Sequence, residues 1–410
     1  MKIIHSWLPS ALLLSLLAAC GGSEGGGEWA GMVRDSAGVA IVDNPAEGVW
    51  SPEDAWTVEE VFRVGGMDAG SEAEFGSVIG VDVDEAGRVF VADQQGRQIR
   101  VFDSEGAFLR TVGAPGEGPG EFGPAVMGVF VSHDTVLVPD MSNQRISVFS
   151  PEGEPLPPRR LALQDGIPIR WDETSDGELV AQRRGFEAEG IDALEDGDPI
   201  ATVPAEGVES RVLATLPKGQ SFQISGGAPS FRIFEPEPIW DLAGQDRVAY
   251  GMNDVYRIEI WQDGRLQRVV TRPVQPVEVT EGEERRIRDM TRDMMSSTGA
   301  PPQAVEQILG QMEFADSYPV FAQVILSEDG FLWVQRIRTS RDVPEGVEWS
   351  AQDLGSNEWD TFDPEGRYLG VVEFPLRFQP LRKIADVMWG LERDDFDVQS
   401  VVGYRVVKGA

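Results

Sequence analysis

The chain has 410 residues, with 69 acidic against 35 basic, a formal net charge of −34, one cysteine and two histidines. So acidic a surface repels phosphate backbones and anionic lipid headgroups, which argues against nucleic acid and against docking on a charged bilayer. One cysteine excludes an intrachain disulfide, and two histidines exclude a His-rich zinc centre.

In chain order, the first segment is an address. Lys2 supplies a short basic region, and Leu12 to Leu17 form an apolar core too short to span a bilayer. Residues 1–19 read as a signal peptide. Leu17-Ala18-Ala19-Cys20 resembles the bacterial lipobox, which implies that Cys20 becomes the lipidated first residue of the mature chain. Residue Gly21 after it implies, by the same resemblance, outer-membrane sorting, facing the periplasm or the cell surface. The Gly-rich stretch 21–27 reads as a flexible tether, and 20–37 as the whole anchor segment.

From residue 73 the chain repeats itself. Glu74-Phe75-Gly76 recurs 47 positions on as Glu121-Phe122-Gly123. Val89–Gly106 (VFVADQQGRQIRVFDSEG) recurs at the same offset as Val136–Gly153 (VLVPDMSNQRISVFSPEG), with eight of 18 positions identical. Each copy alternates apolar and polar residues around a polar turn, the period of a strand. A unit of about 40–50 residues with several strands is the spacing of a propeller blade, which cannot bury its faces alone.

Gly116 to Phe122, followed by a strand and then Val-x-Asp-x-x-Asn-x-Arg-Ile-x-Val-Phe from Val138 to Phe149, resembles the NHL repeat. The first copy departs from it: Gly96 stands where the motif has Asn, and the basic residue comes one place early at Arg97. The whole chain resembles bacterial lipoproteins of the six-bladed, TolB-like propeller group. The expected fold is therefore all-β: one six-bladed propeller of four-stranded antiparallel blades over residues 38–410. Blades begin near Val78, Met127, Ile167, Pro238, Val320 and Lys383. Gly38 to Val42 is read as the strand that closes the ring on the last blade, because closure removes exposed sheet edges.

Residues 280–313 break the strand pattern. Thr280 with Glu283 is a capping box, Ile287, Met290 and Met294 share a helical face, and Pro301-Pro302 starts a second helix with Ala304, Ile308, Leu309 and Met312 as its stripe. A helical hairpin between blades four and five is expected, packed on the propeller or serving as a lid or docking surface.

In a four-stranded blade, the A–B and C–D turns lie on one face of the disc, and the B–C turns and D–A crossovers on the other. The first group is short. The second collects the crossover Gly113 to Gly123, the acidic loop Gly185 to Asp198, the helical hairpin and the loop Thr339 to Asn357. Loops on a rigid scaffold carry function, so that face is the expected binding face. Candidate ligand-binding residues are Asp93, Asp140, Gln182, Arg183, Arg336 and Arg338 at the ends of the B strands, with Trp349 as a cover. The alternative for Asp93, Asp140, Asn143 and Arg145 is loop bracing, which the NHL resemblance implies.

No catalytic set is assigned. His133 sits in a turn with nothing to frame a triad. Asp82 to Gly87 starts like a calcium loop but has Ala86 at a ligand position; Asp196-Gly197-Asp198 and Asp394-Asp395 read as solvated loops. No cofactor and no metal is expected. The leading expectation is a non-catalytic, lipid-anchored envelope module that binds a protein, peptide or glycan. The rival is a divalent-metal hydrolase or lactonase with its site in the channel mouth, as in gluconolactonase-like propellers.

Overall fold

The computed structural model describes residues 27–163, 166–184, 197–204, 208–217, 223–225, 228–230, 232–244, 246–342 and 354–409. The signal peptide, Cys20, the Gly-rich tether to Gly26, most of the acidic loop from Gly185 and Trp349 lie outside the described residues.

The strands B and C of blade one, Val89–Asp93 and Gln98–Phe102, are buried almost throughout, whereas strand D, Phe108–Val112, is half exposed. Inner strands are covered on both faces by neighbouring blades, so their alternation is of size more than of polarity; the rim strand keeps a wet face. Six such antiparallel units recur. Blade one runs from Val78–Val83 to Phe108–Val112, blade two from Phe130–Ser132 to Pro155–Arg160, and blade three from Ile167–Glu173 to Val212–Leu216. Blade four runs from Pro238–Ala243 to Arg265–Thr271 and blade five from Gln323–Leu326 to Tyr368–Glu373. Three prolines sit in the outer strand of blade two, Pro155, Pro157 and Pro158, where a missing N–H is harmless.

The core is divided as a ring requires. Six apolar clusters each lie between two successive blades, the last joining blade six to blade one through Phe62, Val64, Trp389, Leu391, Val89 and Val91. Trp240, Trp333 and Trp359 are fully buried in these wedges. The chain is an all-β, six-bladed propeller.

Ring closure corrects the sequence reading. Blade six consists of Phe378–Ile384, Val387–Arg393 and Gln399–Val407, completed on its outer edge by Thr57–Gly65, paired antiparallel from Thr57↔Val407 to Gly65↔Ser400. Val39–Asp43 instead adds parallel to the outer strand of blade four, Ala40 beside Arg268, and has a hairpin partner in Met32–Ser36, within the expected tether. Thr57–Gly65 escaped notice because a bulge between Glu60 and Phe62 breaks its alternation and glutamates face solvent on its wet side. The first strand of blade six also starts at Phe378, ahead of the expected Lys383, with the turn at Ala385 and Asp386.

The segment between these strands straps blades four, five and six together. Buried Asn44 donates to the carbonyls of Thr271 (3.1 Å, blade four) and Gly366 (2.9 Å, blade five) and accepts from the backbone N–H of Tyr368 (2.7 Å). Trp50 N–H donates to Leu369 O (2.8 Å), and Trp56 packs against Trp333 and Phe331.

The helical hairpin stands where expected, as Glu281–Ser297 and Pro302–Gln311 between blades four and five. The capping box is formed: Thr280 Oγ1 accepts from Glu283 N–H (3.3 Å) and Glu283 Oε2 from Thr280 N–H (2.9 Å). Ile287, Val305, Leu309 and Met312 are buried against Phe234, Ala315 and Tyr318. Met290 and Met294, expected on the same packed face as Ile287, point to solvent at 40% and 62% exposure. Buried Glu283 also accepts from Tyr318 OH (2.8 Å), Ser340 Oγ (3.0 Å) and Arg341 Nη2 (2.7 Å), locking the hairpin to the B–C loop of blade five. Burial alone would push this carboxyl up; the Arg341 ion pair and the Thr280 and Tyr318 donors hold it down to about 2.

Candidate functional site

At the loop-rich face, the sequence-selected residues are engaged by the protein itself. Asp93 accepts from the N–H groups of Gly76 (3.2 Å), Ser77 (3.0 Å) and Gly96 (3.1 Å). Asp140, 47 positions on, accepts from the N–H groups of Gly123 (2.9 Å) and Asn143 (3.1 Å). The same lattice is thus built twice. Gly76 and Gly123 are held so close to Gln95 and Ser142 that a Cβ would stand 2.7 Å and 2.5 Å from them. In blade two Arg145 donates to the carbonyls of Glu117, Gly118 and Glu121. Blade one has no Arg at the matching Gln98, and Arg100, from the next strand position but one, reaches the equivalent Glu74 carbonyl instead. These contacts are those of loop bracing.

The remaining candidates do not converge on one point. Gln182 donates to Asp198 (3.2 Å) and accepts from Trp240 Nε1 (2.8 Å) between blades three and four. Arg183 is buried and engaged, and Arg338 is engaged as well, its backbone N–H on Leu354 O (2.7 Å). Arg336 donates to Asp360 (2.9 Å), Glu358 (2.7 Å) and Tyr368 OH (3.2 Å), all on strands C and D of its own blade.

The opposite mouth of the channel gathers buried charge. The A–B turns of all six blades surround a cavity of about 280 Å³. Register places Asp82, Asp172 and Asp241 at the same point of three inner strands, opposite Phe90, Val180 and Ala249, and Arg382 at that point of blade six, opposite Trp389. Arg382 crosses the mouth. Its guanidinium lies 3.2 Å from Asp82, 3.6 Å from Asp172 and 3.0 Å from Glu173, so blade six is tied to blades one and three. Asp82 also accepts from Val131 N–H (2.6 Å), and Asp241 from Leu326 N–H (2.8 Å), each stitching one blade to the next. Arg170 stands below, over the Trp240 ring at 5.0 Å.

Here charge is taken out of water, and the proton affinities of these groups shift accordingly. Burial pushes Glu173 up to about 9, the Asp82 charge adds to the effect, and Arg382 opposes it. Burial and then Asp172 push Asp241 up to about 8. Asp172 is raised by burial despite Arg382. Burial also lowers Arg170, whereas the carboxylates around Arg382 outweigh burial and raise it. Four carboxyls thus share two guanidiniums, and the imbalance is met by retained protons. Among the described residues, no group of three or more His, Cys, Asp and Glu is placed to hold a metal ion; in this mouth the carboxylates gather around a guanidinium.

Sequence reasoning passed over this cluster, weighing Asp82 only as the start of a cation loop. Aligning the A strands rather than the B strands shows the signal: an Asp near the end of the strand in three blades, Asp82, Asp172 and Asp241.

Comparison with known proteins bears on the fold. A family model described as 6-bladed beta-propeller matches residues 69–125. No curated protein matches the chain. Among solved structures, a protein described as exported, from Bacteroides fragilis, superposes with a TM-score of 0.50 at 11% identity, covering 90% of this chain and 100% of that one. Virginiamycin B lyase of Staphylococcus aureus has a TM-score of 0.40 at 13% identity, over 85% of this chain and 99% of its own. A gluconolactonase of Xanthomonas campestris has 0.41 at 10% identity, over 86% and 99%. At such identities the likeness is one of fold alone. Among the described residues no helix is long and apolar enough to cross a membrane.

Proposed function

We propose that this chain is a lipid-anchored propeller of the cell envelope, NHL-like in its repeat and TolB-like in its group. It acts as a non-catalytic module that binds a protein, peptide or glycan through the face of its D–A crossovers and B–C turns. The observation that carries this reading is the distribution of exposed apolar side chains. Met67, Val255, Met290, Met294, Leu376 and Phe396, all at least 40% exposed, lie in crossovers, B–C turns or the helical hairpin on that face, whereas Val208, 60% exposed, sits in a C–D turn of the other face and Met32, Val33, Leu109, Val212 and Val407 lie on strands. A concentration of loop-borne apolar groups on one face, rimmed by polar loops, is a usual mark of an interaction surface. The Glu283 network and the repeated Asp–Gly lattice give that face a rigid base. The basic and apolar start of the chain and the lipobox-like Leu17-Ala18-Ala19-Cys20 support an envelope setting.

A photo-crosslinking residue at Met294, compared with one at Glu365 on the other face, tests the reading in intact cells. Position 294 is expected to give a discrete adduct with one envelope component, and 365 none; equal labelling from both faces overturns the assignment. In parallel, calcium and manganese titrations followed by thermal shift, with hydrolysis of gluconolactone as readout, address the enzymatic rival. Saturable stabilisation together with turnover would replace the binding module by a metal hydrolase.

The anchor has its own test. Cys20→Ser is expected to abolish fatty-acid labelling and to move the protein from the membrane to the soluble fraction. Retained labelling would show that Cys20 is not the lipidated residue.

A further inference from the structure

Among the described residues the two most exposed large apolar side chains are Phe396, at 74%, and Leu376, at 71%. They stand on different loops, the B–C turn of blade six and the crossover that enters that blade. An ion pair between their neighbours Asp395 and Arg377 joins the two loops. Met67, 61% exposed, stands on the crossover that leaves the same blade, where Gly66 N–H donates to Gln399 O (3.1 Å) just past the B–C turn. Three loops thus bring three apolar side chains to one end of one blade.

The turns that carry Phe396 and Leu376 are braced. Asp394 Oδ1 accepts from Phe396 N–H (2.8 Å) and Val398 N–H (3.0 Å), and Arg393 pairs with Asp397 (2.8 Å), so the B–C turn holds Phe396 at its tip. Phe378 N–H donates to Pro375 O (2.9 Å), which closes the turn at Leu376. An apolar group on a braced turn has little backbone freedom left to lose on binding. The surround is acidic. Asp395 and Asp397 are paired with Arg377 and Arg393, but Asp68, Glu72 and Glu373 are exposed and have no ion pair among the described residues.

We propose that this end of blade six is the docking point of a basic polypeptide. Its Lys and Arg side chains meet the acids, while its own apolar side chains cover Phe396, Leu376 and Met67. The inference rests on the loop-rich face being the binding face, and it adds the place and the partner's chemistry. A second copy of this chain, at −34, would set acid against acid, and an anionic bilayer would do the same. A covered aromatic anchor carries most of the energy of such a contact, and the charges around it set its rate and salt dependence.

The test is fluorescence anisotropy of a labelled, helical leucine–lysine peptide titrated with the full chain in detergent. A lysine–serine peptide of the same length and charge and a leucine–glutamate peptide serve as controls. The expected result is saturable binding of the leucine–lysine peptide that weakens as sodium chloride is raised, with neither control saturating in that range. Phe396→Ser combined with Leu376→Ser should weaken binding about tenfold or more, as loss of a central anchor does. Asp68→Asn, Glu72→Gln and Glu373→Gln together should weaken it a few-fold and flatten the salt dependence. Met294→Ser, on the helical hairpin of the same face, should leave it unchanged. All these positions are exposed, and an unchanged thermal midpoint verifies that the variants fold. No saturation with the leucine–lysine peptide, equal binding of the lysine–serine peptide, or unchanged affinity in the Phe396 and Leu376 variant overturns the proposal. Loss of affinity in Met294→Ser alone overturns this docking point and leaves the loop-rich face standing as the binding surface, whereas equal crosslinking from both faces removes that reading itself.

Discussion

Arg382→Met destabilises the propeller by about 3–5 kcal/mol at pH 8, the cost of removing one partner from a buried ion cluster. Methionine approximates the volume of the arginine stem, so packing against Phe130, 5.9 Å from the guanidinium, is largely retained. What goes is the charge that faces Asp82, Asp172 and Glu173 from blade six. The carboxyls of blades one and three are then left in a desolvated mouth without the counter-charge of blade six.

The pH dependence identifies the cause. The folded-state values of Glu173 and Asp241 lie above their ordinary ones, about 9 and about 8. Groups of this kind stabilise fully below their unfolded values near 4, and their contribution is lost as pH rises through 8 to 9. Without Arg382 nothing opposes the rise, so Glu173 keeps its proton to still higher pH. The variant should therefore lie closer to the native protein at pH 5 than at pH 8, as chemical denaturation at both values will show. An equal deficit at both, or none at pH 8, would mean that the cluster behaves as solvated surface charge.

Asp360→Ala is expected to cost a similar amount, about 3–5 kcal/mol, by orphaning buried cationic and hydroxyl partners. Asp360 is fully buried and accepts from Tyr256 OH (2.8 Å), Tyr368 OH (2.8 Å), Arg336 Nε (2.9 Å) and Arg272 Nη1 (3.2 Å). Tyr256 and Arg272 belong to blade four and its exit, the others to blade five, so one carboxylate closes the wedge between the two. Burial first, and the Asp360 charge second, push Tyr368 up to about 12, which keeps its hydroxyl a donor at any physiological pH. Arg272 also stacks on the Tyr368 ring at 4.5 Å and loses its counter-charge in the variant. A double-mutant cycle with Arg336→Ala checks the assignment: the double variant should cost much less than the sum of the singles. Additive costs, or a change within about 0.5 kcal/mol for Asp360→Ala, the range of ordinary surface substitutions, would remove the wedge from the account.

This wedge also explains what could be read in the sequence about Arg336. At the end of a B strand, in a place where two other blades have Asp, it stands out as a candidate for ligand contact. Its partner Asp360 is 24 residues away across an intervening loop, and nothing in the local pattern links them. Asp93 and Asp140 were legible as braces because the repeat places the same acid three residues before Gly96 in one copy and before Asn143 in the other, and a hydrogen-bond lattice that repeats must serve the repeat. The helical hairpin was legible through its capping box and prolines. Its packed face was only half legible, since Met290 and Met294 continue the periodicity of Ile287 after the helix has left its support.

Taken by itself, the sequence determined the element type, the blade period and the place of the helical hairpin between blades four and five. Those depend on neighbours within a few residues, on the alternation of side chains along a strand and on the turn chemistry that ends it. The tertiary structure alone decided which N-terminal strand completes blade six, and which charges meet on the channel axis. Thr57–Gly65 and Gln399–Val407 are neighbours only because the ring brings chain ends together, and Asp82, Asp172, Glu173 and Arg382 only because blades radiate from one axis. Closure of that kind is a property of six packed wedges at once, so no local stretch contains it.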